Sequence, residues 1–262
     1  MATILVLSGV FALFFVLPFA GLANRAIEDG KTWELARSDT ARTALWLSVW
    51  TSTVTLGLTI IFGTPVAYLL ARARFPGKSI IDAAIDLPIV LPPTVAGVAL
   101  LTAFGRRGLL GEPIEEWTGQ TFAFTTMAVI MAQVLVAAPF YVRAARSGFD
   151  VVDRRAEAVA YTLGASKTRT FFRIVLPQVR PAIMAGTVLC WARAMGELGA
   201  TLIFAGNLEG TTQTMPLAII SAFEGSSLGL AGAIALSVML LGVALGVLVV
   251  FRLVSNRETW QA

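Results

Sequence analysis

The chain has 262 residues, of which 56% are hydrophobic and only 14% are charged, and its mean hydropathy is +0.78. A soluble domain carries nearer a quarter charged residues, so the composition excludes an ordinary soluble protein. The sequence contains no histidine, which removes the commonest general base and metal ligand and argues against an intramembrane serine or zinc protease. We therefore predict an all-α integral membrane protein whose single domain occupies residues 1–262.

Apolar residues occur in blocks of about 20, the length that an α-helix needs to cross about 30 Å of hydrocarbon. Six blocks predict six transmembrane helices, at about residues 3–23, 44–71, 83–104, 122–145, 181–205 and 228–254. No Lys or Arg precedes the first block, which is also longer than the apolar region of a typical signal peptide. We expect this block to be a retained membrane anchor.

The basic residues between the blocks predict the orientation of the protein, because cytoplasmic loops carry an excess of Lys and Arg. The loop after the second block is basic, and the loop after the fourth holds eight basic residues against three acidic ones. The loops after the third and fifth blocks are acidic on balance. We predict that the two basic loops and both termini are cytoplasmic. The net charge of +4 belongs to this pattern and does not indicate nucleic-acid binding.

Residues 153–172, between the fourth and fifth blocks, are too polar to cross a membrane and too regularly patterned for a loose linker. Ala156, Ala160, Leu163 and Gly164 recur at helical spacing, and a glycine commonly ends a helix. The pattern predicts a short cytoplasmic helix whose narrow face of small residues fits a shallow cleft in another protein. The alternative is an amphipathic helix that rests on lipid headgroups.

Three prolines, Pro88, Pro92 and Pro93, interrupt the third block. Proline is tolerated at the first position of a helix but disrupts its interior. We therefore expect an extended or kinked piece, followed by a helix of about 18 Å that restarts near Pro93. Its N-terminus, with Thr94, would lie inside the membrane, where an anion can bind. Pro92, Pro93 and Thr94 are candidates for a substrate pathway; the alternative is a kink filled by neighbouring helices.

Two charged residues, Arg193 and Glu197, lie near the middle of the fifth block. A charge at that depth costs at least about 2.5–3.5 kcal/mol, so we expect both side chains to face protein or a water-filled path. In one interpretation Arg193 offers positive charge to a dianion, and Glu197 keeps the anion from binding too tightly. Thr201 belongs to the same pathway hypothesis. In the other interpretation, Arg193 and Glu197 form a structural ion pair along the helix.

Two external segments carry further polar residues. Arg106 and Arg107 can attract an anion from a distance, or they can pair with acidic neighbours. The acidic neighbours are Glu112, Glu115 and Glu116. The polar stretch at 211–214, Thr-Thr-Gln-Thr, is expected to form a solvated loop.

The cytoplasmic segment resembles the docking loop of binding-protein-dependent permeases, whose pattern is E-A-A, three residues, G, nine residues, I-x-L-P. Four residues fit the latter part of this pattern: Gly164, Ile174, Leu176 and Pro177. Glu157 lies seven residues before Gly164, one earlier than in the pattern, and Ala158 occupies the acidic position. By this resemblance the ATPase-coupling residues are Glu157, Ala158, Ala160, Gly164, Ile174, Leu176 and Pro177.

Five longer segments are similar to the molybdate permease branch of that family. They are residues 87–97 (LPIVLPPTVAG), 105–111 (GRRGLLG), 121–125 (TFAFT), 193–207 (RAMGELGATLIFAGN) and 211–219 (TTQTMPLAI). Sulfate permeases share approximate versions of the first and fourth segments. The second and fifth look more like the molybdate and tungstate members.

The resemblance implies a multi-pass permease of a bacterial or archaeal cytoplasmic membrane that imports molybdate by alternating access. Two copies, embedded in lipid, would form the path at their interface, with two ATPase subunits beneath the coupling segments and an external binding protein that delivers the oxyanion. The ATPases would bind ATP and Mg²⁺. This chain, which has no G-x-x-x-x-G-K-[ST] phosphate loop, would hold no cofactor, metal or catalytic residue. Tungstate or sulfate is the alternative cargo; a passive channel or an intramembrane enzyme would be a different class.

Overall fold

The computed structural model describes residues 1–226 and 228–259, and within these ranges the regular secondary structure is entirely helical. The α-helices are α1 (Ala2–Glu28), α2 (Thr32–Ala36), α3 (Asp39–Arg72), α4 (Lys78–Val90), α5 (Pro93–Phe104), α6 (Gly111–Thr118), α7 (Thr126–Val151), α8 (Arg154–Thr162), α9 (Lys167–Thr170), α10 (Leu176–Met195), α11 (Gly199–Ala205), α12 (Met215–Phe223) and α13 (Gly229–Thr259). A π-helical turn, Phe171–Val175, joins α9 to α10. The predicted all-α class is confirmed.

Five helical stretches in the described part of the chain are long and apolar enough to span a membrane. They are Thr3–Glu28, Asp39–Arg72, Thr126–Val151, Lys167–Met195 and Gly229–Phe251. The predicted third span corresponds to α4 and α5, which Leu91 and Pro92 separate. The predicted fifth span, 181–205, is divided between two helices, because α10 ends at Met195 and α11 begins only at Gly199.

The body of the protein is formed by α3, α7 and α10, with α7 packed between the other two. Tyr141 and Phe149 of α7 are fully buried there with Leu70 of α3. The contact between α7 and α10 is too close for a larger side chain, because a Cβ atom at Gly148 would lie 2.6 Å from the Cβ of Ala182. Small residues thus hold these helices together at short range, as is common between transmembrane helices.

The remaining helices pack around this body. α5 and α11 contact α7 through a cluster that includes Ala96, Val129 and Phe204, while α2 and α12 contact α13. α1 packs along α13 and leaves apolar side chains such as Phe14 and Leu17 exposed. A helix that is apolar on every side and unburied by protein is typical of a span that faces lipid.

The segments predicted to be cytoplasmic lie at one end of α7, and those predicted to be external lie at the other. At the first end, Arg72 of α3 contacts Val152 and Glu157 in the segment after α7. At the opposite end, the hydroxyl of Thr126 donates to the carbonyl of Thr211 over 2.9 Å. The loops therefore alternate between the two ends as the charge pattern predicts.

Candidate functional site

The break between α4 and α5 is made by proline. α4 remains helical to Val90, Leu91 and Pro92 are extended, and α5 begins at Pro93, the residue where the sequence predicts a restart. A residue that precedes proline is pushed out of the α region, and Pro93 has no N–H that would need a partner in the first turn. Of the two forms expected for the piece before the restart, extended or kinked, the extended one is absent: the piece is a helix that contains Pro88, and the interruption covers only two residues.

The break between α10 and α11 is made differently. Gly196, Glu197 and Leu198 separate the two helices, and Oε1 of Glu197 accepts a hydrogen bond from the backbone N–H of Ala200 over 2.9 Å. The carboxylate thus satisfies one of the donors that a helix start leaves free. The sequence signal was the Gly-Glu-Leu-Gly string at 196–199, which we did not interpret as a helix end.

The two charges of the predicted fifth span form an ion pair across this break. Nη1 of Arg193 lies 2.7 Å from Oε2 of Glu197, whose side chain is 1% exposed, whereas that of Arg193 is 29% exposed. Arg193 lies in the last turn of α10, where the helix dipole favours a cation. The predicted ion pair is therefore present, and of its two side chains only that of Arg193 is accessible to solvent.

The two breaks touch each other. A Cβ atom at Gly199 would lie 2.9 Å from Cβ of Pro93 and 3.2 Å from the backbone nitrogen of Thr94. One turn along, a Cβ atom at Gly97 would lie 2.8 Å from Cβ of Ile203. α5 and α11 thus pack backbone against backbone, and pathway candidates from two separate spans meet in one place.

The candidates differ in exposure. Pro92 and Thr94 are exposed and Pro93 is half-buried. Thr201 is fully buried, and its hydroxyl has no hydrogen-bond partner, so it does not line an accessible surface in this conformation. Pro92, Thr94 and the guanidinium of Arg193 are the predicted pathway groups that a solute can reach.

A row of buried polar residues along α3 was missed at the sequence level. Its members are Ser48, Thr51, Ser52, Thr55 and Thr59, whose spacing places them on one helix face. Thr55 donates to Oε1 of Gln133 over 3.0 Å, and Ser48 accepts from the N–H of Met215 over 2.7 Å. The periodicity of these hydroxyls was the available signal.

The predicted solvated loop at 211–214 is wrong for three of its four residues. Thr211 is exposed, but Thr212, Gln213 and Thr214 are buried. The hydroxyl of Thr212 accepts from the N–H of Leu208 over 2.9 Å, so the segment folds back on itself. Polar residues that stabilise a compact turn in this way look like solvated ones in a sequence.

The segment 153–177 forms two short helices and a π-helical turn. Oδ1 of Asp153 accepts from the N–H of Arg155 and begins α8, and Gly164 adopts φ +80° after its end. Such a left-handed conformation favours glycine. α10 then begins at Leu176, with Pro177 in its first turn.

The exposed face of α8 and of the turn after it matches the predicted face only in part. Ala160 is buried, whereas Ala158, Val159 and Leu163 are exposed, as is Gly164. Among the other coupling candidates Ile174 and Leu176 are half-buried and Pro177 is exposed. A partner would therefore meet Ala158, Val159, Leu163 and Gly164 rather than a stripe that contains Ala160.

Glu157 points away from that face. Its Oε1 lies 2.8 Å from Nη2 of Arg72, and both side chains are 12% exposed. Because neighbouring positions on a helix differ by about 100°, the one-residue offset of Glu157 turns its carboxylate toward α3 and leaves Ala158 in solvent.

At the opposite end of the molecule, Arg106 pairs with Glu115 over 2.8 Å, although its side chain remains 77% exposed. Arg107 is exposed. Of the two roles considered for Arg106, the structure therefore contains the pairing with an acidic neighbour.

Residues 60–258 match the family described as the inner membrane component of binding-protein-dependent transport systems. The chain is similar to the molybdenum transport system permease protein ModB of Escherichia coli K12, with 41% identity over 77% of this chain and 88% of that protein. It is also similar to the molybdate/tungstate transport system permease protein WtpB of Pyrococcus abyssi, with 40% identity over 80% and 76%. A probable sulfate transport system permease protein of Chlorokybus atmophyticus is 37% identical over 81% and 75%.

The fold is similar to that of a chain in the crystal structure of a bacterial alginate ABC transporter in complex with its alginate pentasaccharide-bound periplasmic protein. The TM-score is 0.77 and the match covers 98% of this chain and 94% of that chain, at 16% sequence identity. At this identity the likeness concerns the fold alone.

Proposed function

The chain belongs to the family of inner-membrane components of binding-protein-dependent transport systems, and on that premise we propose that it is the permease subunit of an ATP-driven molybdate importer. It is a multi-pass membrane protein. In the proposed assembly, two copies in the lipid bilayer form the path, an external binding protein delivers the oxyanion, and both termini are cytoplasmic. Two partner ATPases bind ATP and Mg²⁺, and this chain is a transport subunit rather than an enzyme.

The observation that carries the proposal is the exposed surface of the segment between α7 and α10. Ala158, Val159, Leu163 and Gly164 present small and apolar groups to solvent at the end of the molecule that the charge pattern assigns to the cytoplasm. Exposed apolar residues on a capped, ordered helix are typical of a protein contact. We propose that this face docks on the ATPase, with Ile174, Leu176 and Pro177 placing α10 behind it.

The proposed path runs past the two helix breaks. Interrupted spans mark binding sites in transporters, because helix ends inside the membrane supply dipoles and free backbone groups. Thr94, at the start of α5, and the accessible guanidinium of Arg193 would offer hydrogen bonds and positive charge to a dianion. Glu197 would limit the affinity by neutralising part of that charge. We propose that Pro92 and Pro93 act structurally, by interrupting the helix, and do not bind the anion.

The cargo is proposed from the relatives. A molybdenum transport permease is 41% identical to this chain, and a molybdate/tungstate transport permease is 40% identical. Tungstate has the same tetrahedral dianion chemistry and is the first alternative. Sulfate is the second, because a probable sulfate permease is 37% identical.

Reconstitution tests the transport proposal. The permease would be placed in liposomes with a candidate ATPase and binding protein, and ATP hydrolysis and oxyanion uptake would be measured with molybdate, tungstate and sulfate in turn. We expect uptake that requires ATP and is strongest for molybdate. Uptake that proceeds without ATP would instead identify a passive channel.

Gly164→Arg tests the docking face. The substitution adds a bulky charge in open space on that face, so we expect insertion into the membrane but loss of the ATPase in a detergent pull-down. Gly210→Arg is the matched control, because Gly210 also has a positive φ and nothing within 4 Å but lies at the external end. Full ATPase retention by Gly164→Arg would contradict the assignment.

A further inference from the structure

Arg72 joins α3 to the coupling segment by two contacts from one nitrogen atom. Its Nη2 lies 2.8 Å from Oε1 of Glu157 in α8 and donates to the carbonyl of Val152, just before α8, over 3.1 Å. The side chains of Arg72 and Glu157 are both largely buried. A charged pair that is shielded from solvent and joins residues far apart in the chain is more rigid than a surface pair, which contributes little.

A second contact joins α3 to the C-terminal end of the coupling segment. The ring of Tyr68, one helical turn before Arg72, lies 5.2 Å from the ring of Phe171, at the start of the π-helical turn. It also lies 5.3 Å from the ring of Phe149 in α7. Edge-to-face aromatic pairs of this kind are attractive beyond their buried area. The last turn of α3 therefore contacts the coupling segment both where it begins and where it ends.

α3 extends from this contact to the opposite end of the protein. Its 34 residues span about 51 Å, and Pro65 lies within it without ending it. Near the other end, the hydroxyl of Ser48 accepts the N–H of Met215 over 2.7 Å. A single helix is thus attached to the coupling segment at one end and to the start of α12 at the other.

We propose that the contact of Arg72 with Glu157 and Val152 makes α8 and α3 move as one body, so that α3 carries the motion of the ATPases to the external end of the permease. Arg72 is a positioning residue in this scheme, and it touches neither the ATPase nor the oxyanion. The inference rests on the proposed importer function. It assigns Glu157, which lies off the exposed docking face, to force transmission rather than to docking.

The first test measures oxyanion transported per ATP hydrolysed in the reconstituted complex. We expect Arg72→Ala and Glu157→Ala to retain the ATPase in pull-downs but to lower this ratio about fivefold or more, the scale of a typical coupling energy. The double variant, Arg72→Ala with Glu157→Ala, should lower the ratio little more than Arg72→Ala does, since a double-mutant cycle isolates the interaction that both single variants remove. Arg25→Ala, in the exposed Arg25–Glu28 pair, is the control and should be unchanged.

Three results of this test would overturn the proposal. They are a wild-type ratio in Arg72→Ala, losses in the double variant that equal the sum of those in the two single variants, and loss of the ATPase from all three variants. The last result would make Arg72 and Glu157 part of docking. Wild-type protein is measured first, so a complex that transports no oxyanion would reject the importer function before any variant is compared.

The second test follows the motion without reference to the cargo. Spin labels at Arg154 of α8, which lies off the docking face, and at Ile61 of α3, both exposed, would be placed in a background in which the one cysteine of the sequence, Cys190, is Ala. Labelled subunits would be diluted by unlabelled ones. We expect ATP to leave the distance between these labels unchanged in the complex and to change it when Arg72 is Ala. A change in the otherwise wild-type protein would overturn the proposal. Labels at Arg154 of both copies should move relative to each other, and their failure to move would reject the importer function itself.

Discussion

The two helix breaks of this protein are made by opposite chemistry. At the α4–α5 break, Pro93 begins the new helix without an N–H, so the first helical position has no donor that needs a partner. At the α10–α11 break, the donor of Ala200 is present and the carboxylate of Glu197 accepts its hydrogen bond. Glu197 is in turn neutralised by Arg193. One break needs no partner, and the other depends on a buried charged pair.

The comparison shows where each break is vulnerable. A proline acts through its own ring, so its effect survives changes in the surroundings. A buried carboxylate acts through several partners, and its loss leaves a guanidinium and a backbone donor without theirs. We therefore expect the α10–α11 break to be sensitive to substitution, the packing between the breaks to be less sensitive, and the α4–α5 break to be the most tolerant.

The largest effect is expected for Glu197→Ala. Loss of one member of a buried ion pair costs about 3–5 kcal/mol, and we expect a decrease of this size in the free energy of unfolding measured by SDS titration in mixed micelles. Asp150→Ala is the control, because Asp150 also follows an arginine by four residues but is half exposed. Its cost should stay below about 1 kcal/mol. Equal costs for the two variants would remove the distinction between the breaks.

A double variant, Arg193→Met with Glu197→Gln, separates the structural role of this pair from a role in transport. It removes both charges, and the side-chain oxygen of Gln can still accept from Ala200. We expect most of the stability to return, because a buried pair replaced as a whole is often nearly neutral. Uptake of the dianion should stay impaired if Arg193 supplies its positive charge. Full uptake would make the pair purely structural.

A moderate effect is expected for Gly199→Ala. The added Cβ would lie 2.9 Å from Cβ of Pro93, and overpacking of this kind costs about 1–3 kcal/mol. The free energy of unfolding should fall by that amount, and α5 should shift relative to α11. Gly57→Ala in α3 is the control, since nothing lies within 4 Å of the new Cβ, and we expect it to be neutral or slightly stabilising. A neutral Gly199→Ala would show that the two breaks do not support each other.

A small effect is expected for Pro93→Ala. Alanine is compatible with the first turn of a helix, and its extra N–H lies where donors are normally free. The free energy of unfolding should therefore change by less than about 1 kcal/mol. Pro177→Ala, at the first turn of α10, provides a comparison outside the breaks. A loss as large as that of Glu197→Ala would mean that the α4–α5 break also depends on its surroundings.

The contrast between the two breaks also explains why one was predicted from the sequence and the other was not. The restart of a helix at Pro93 was predictable because proline imposes it locally. The break after Met195 was missed because its signal, the Gly-Glu-Leu-Gly string at 196–199, lies inside a continuous apolar block. Apolar blocks and charge counts predicted the helical class and the alternation of the loops. The partner of Glu157 was not predictable, since Arg72 is far away in the chain, and neither was the burial of Thr212, Gln213 and Thr214.

The smallest effect is expected for Thr201→Val, which tests whether α11 contributes its buried face to transport. The Thr201 hydroxyl is fully buried without a partner, and an unpaired buried polar group destabilises a fold. Valine has nearly the same shape, so we expect unchanged stability or a gain of up to about 1 kcal/mol, with uptake unaffected. Thr55→Val is the matched control, because the hydroxyl of Thr55 donates to Gln133 and its loss should destabilise the protein by about 1 kcal/mol. If Thr201→Val keeps its stability but loses uptake, the hydroxyl meets the anion in another conformation, and α11 must rotate during transport.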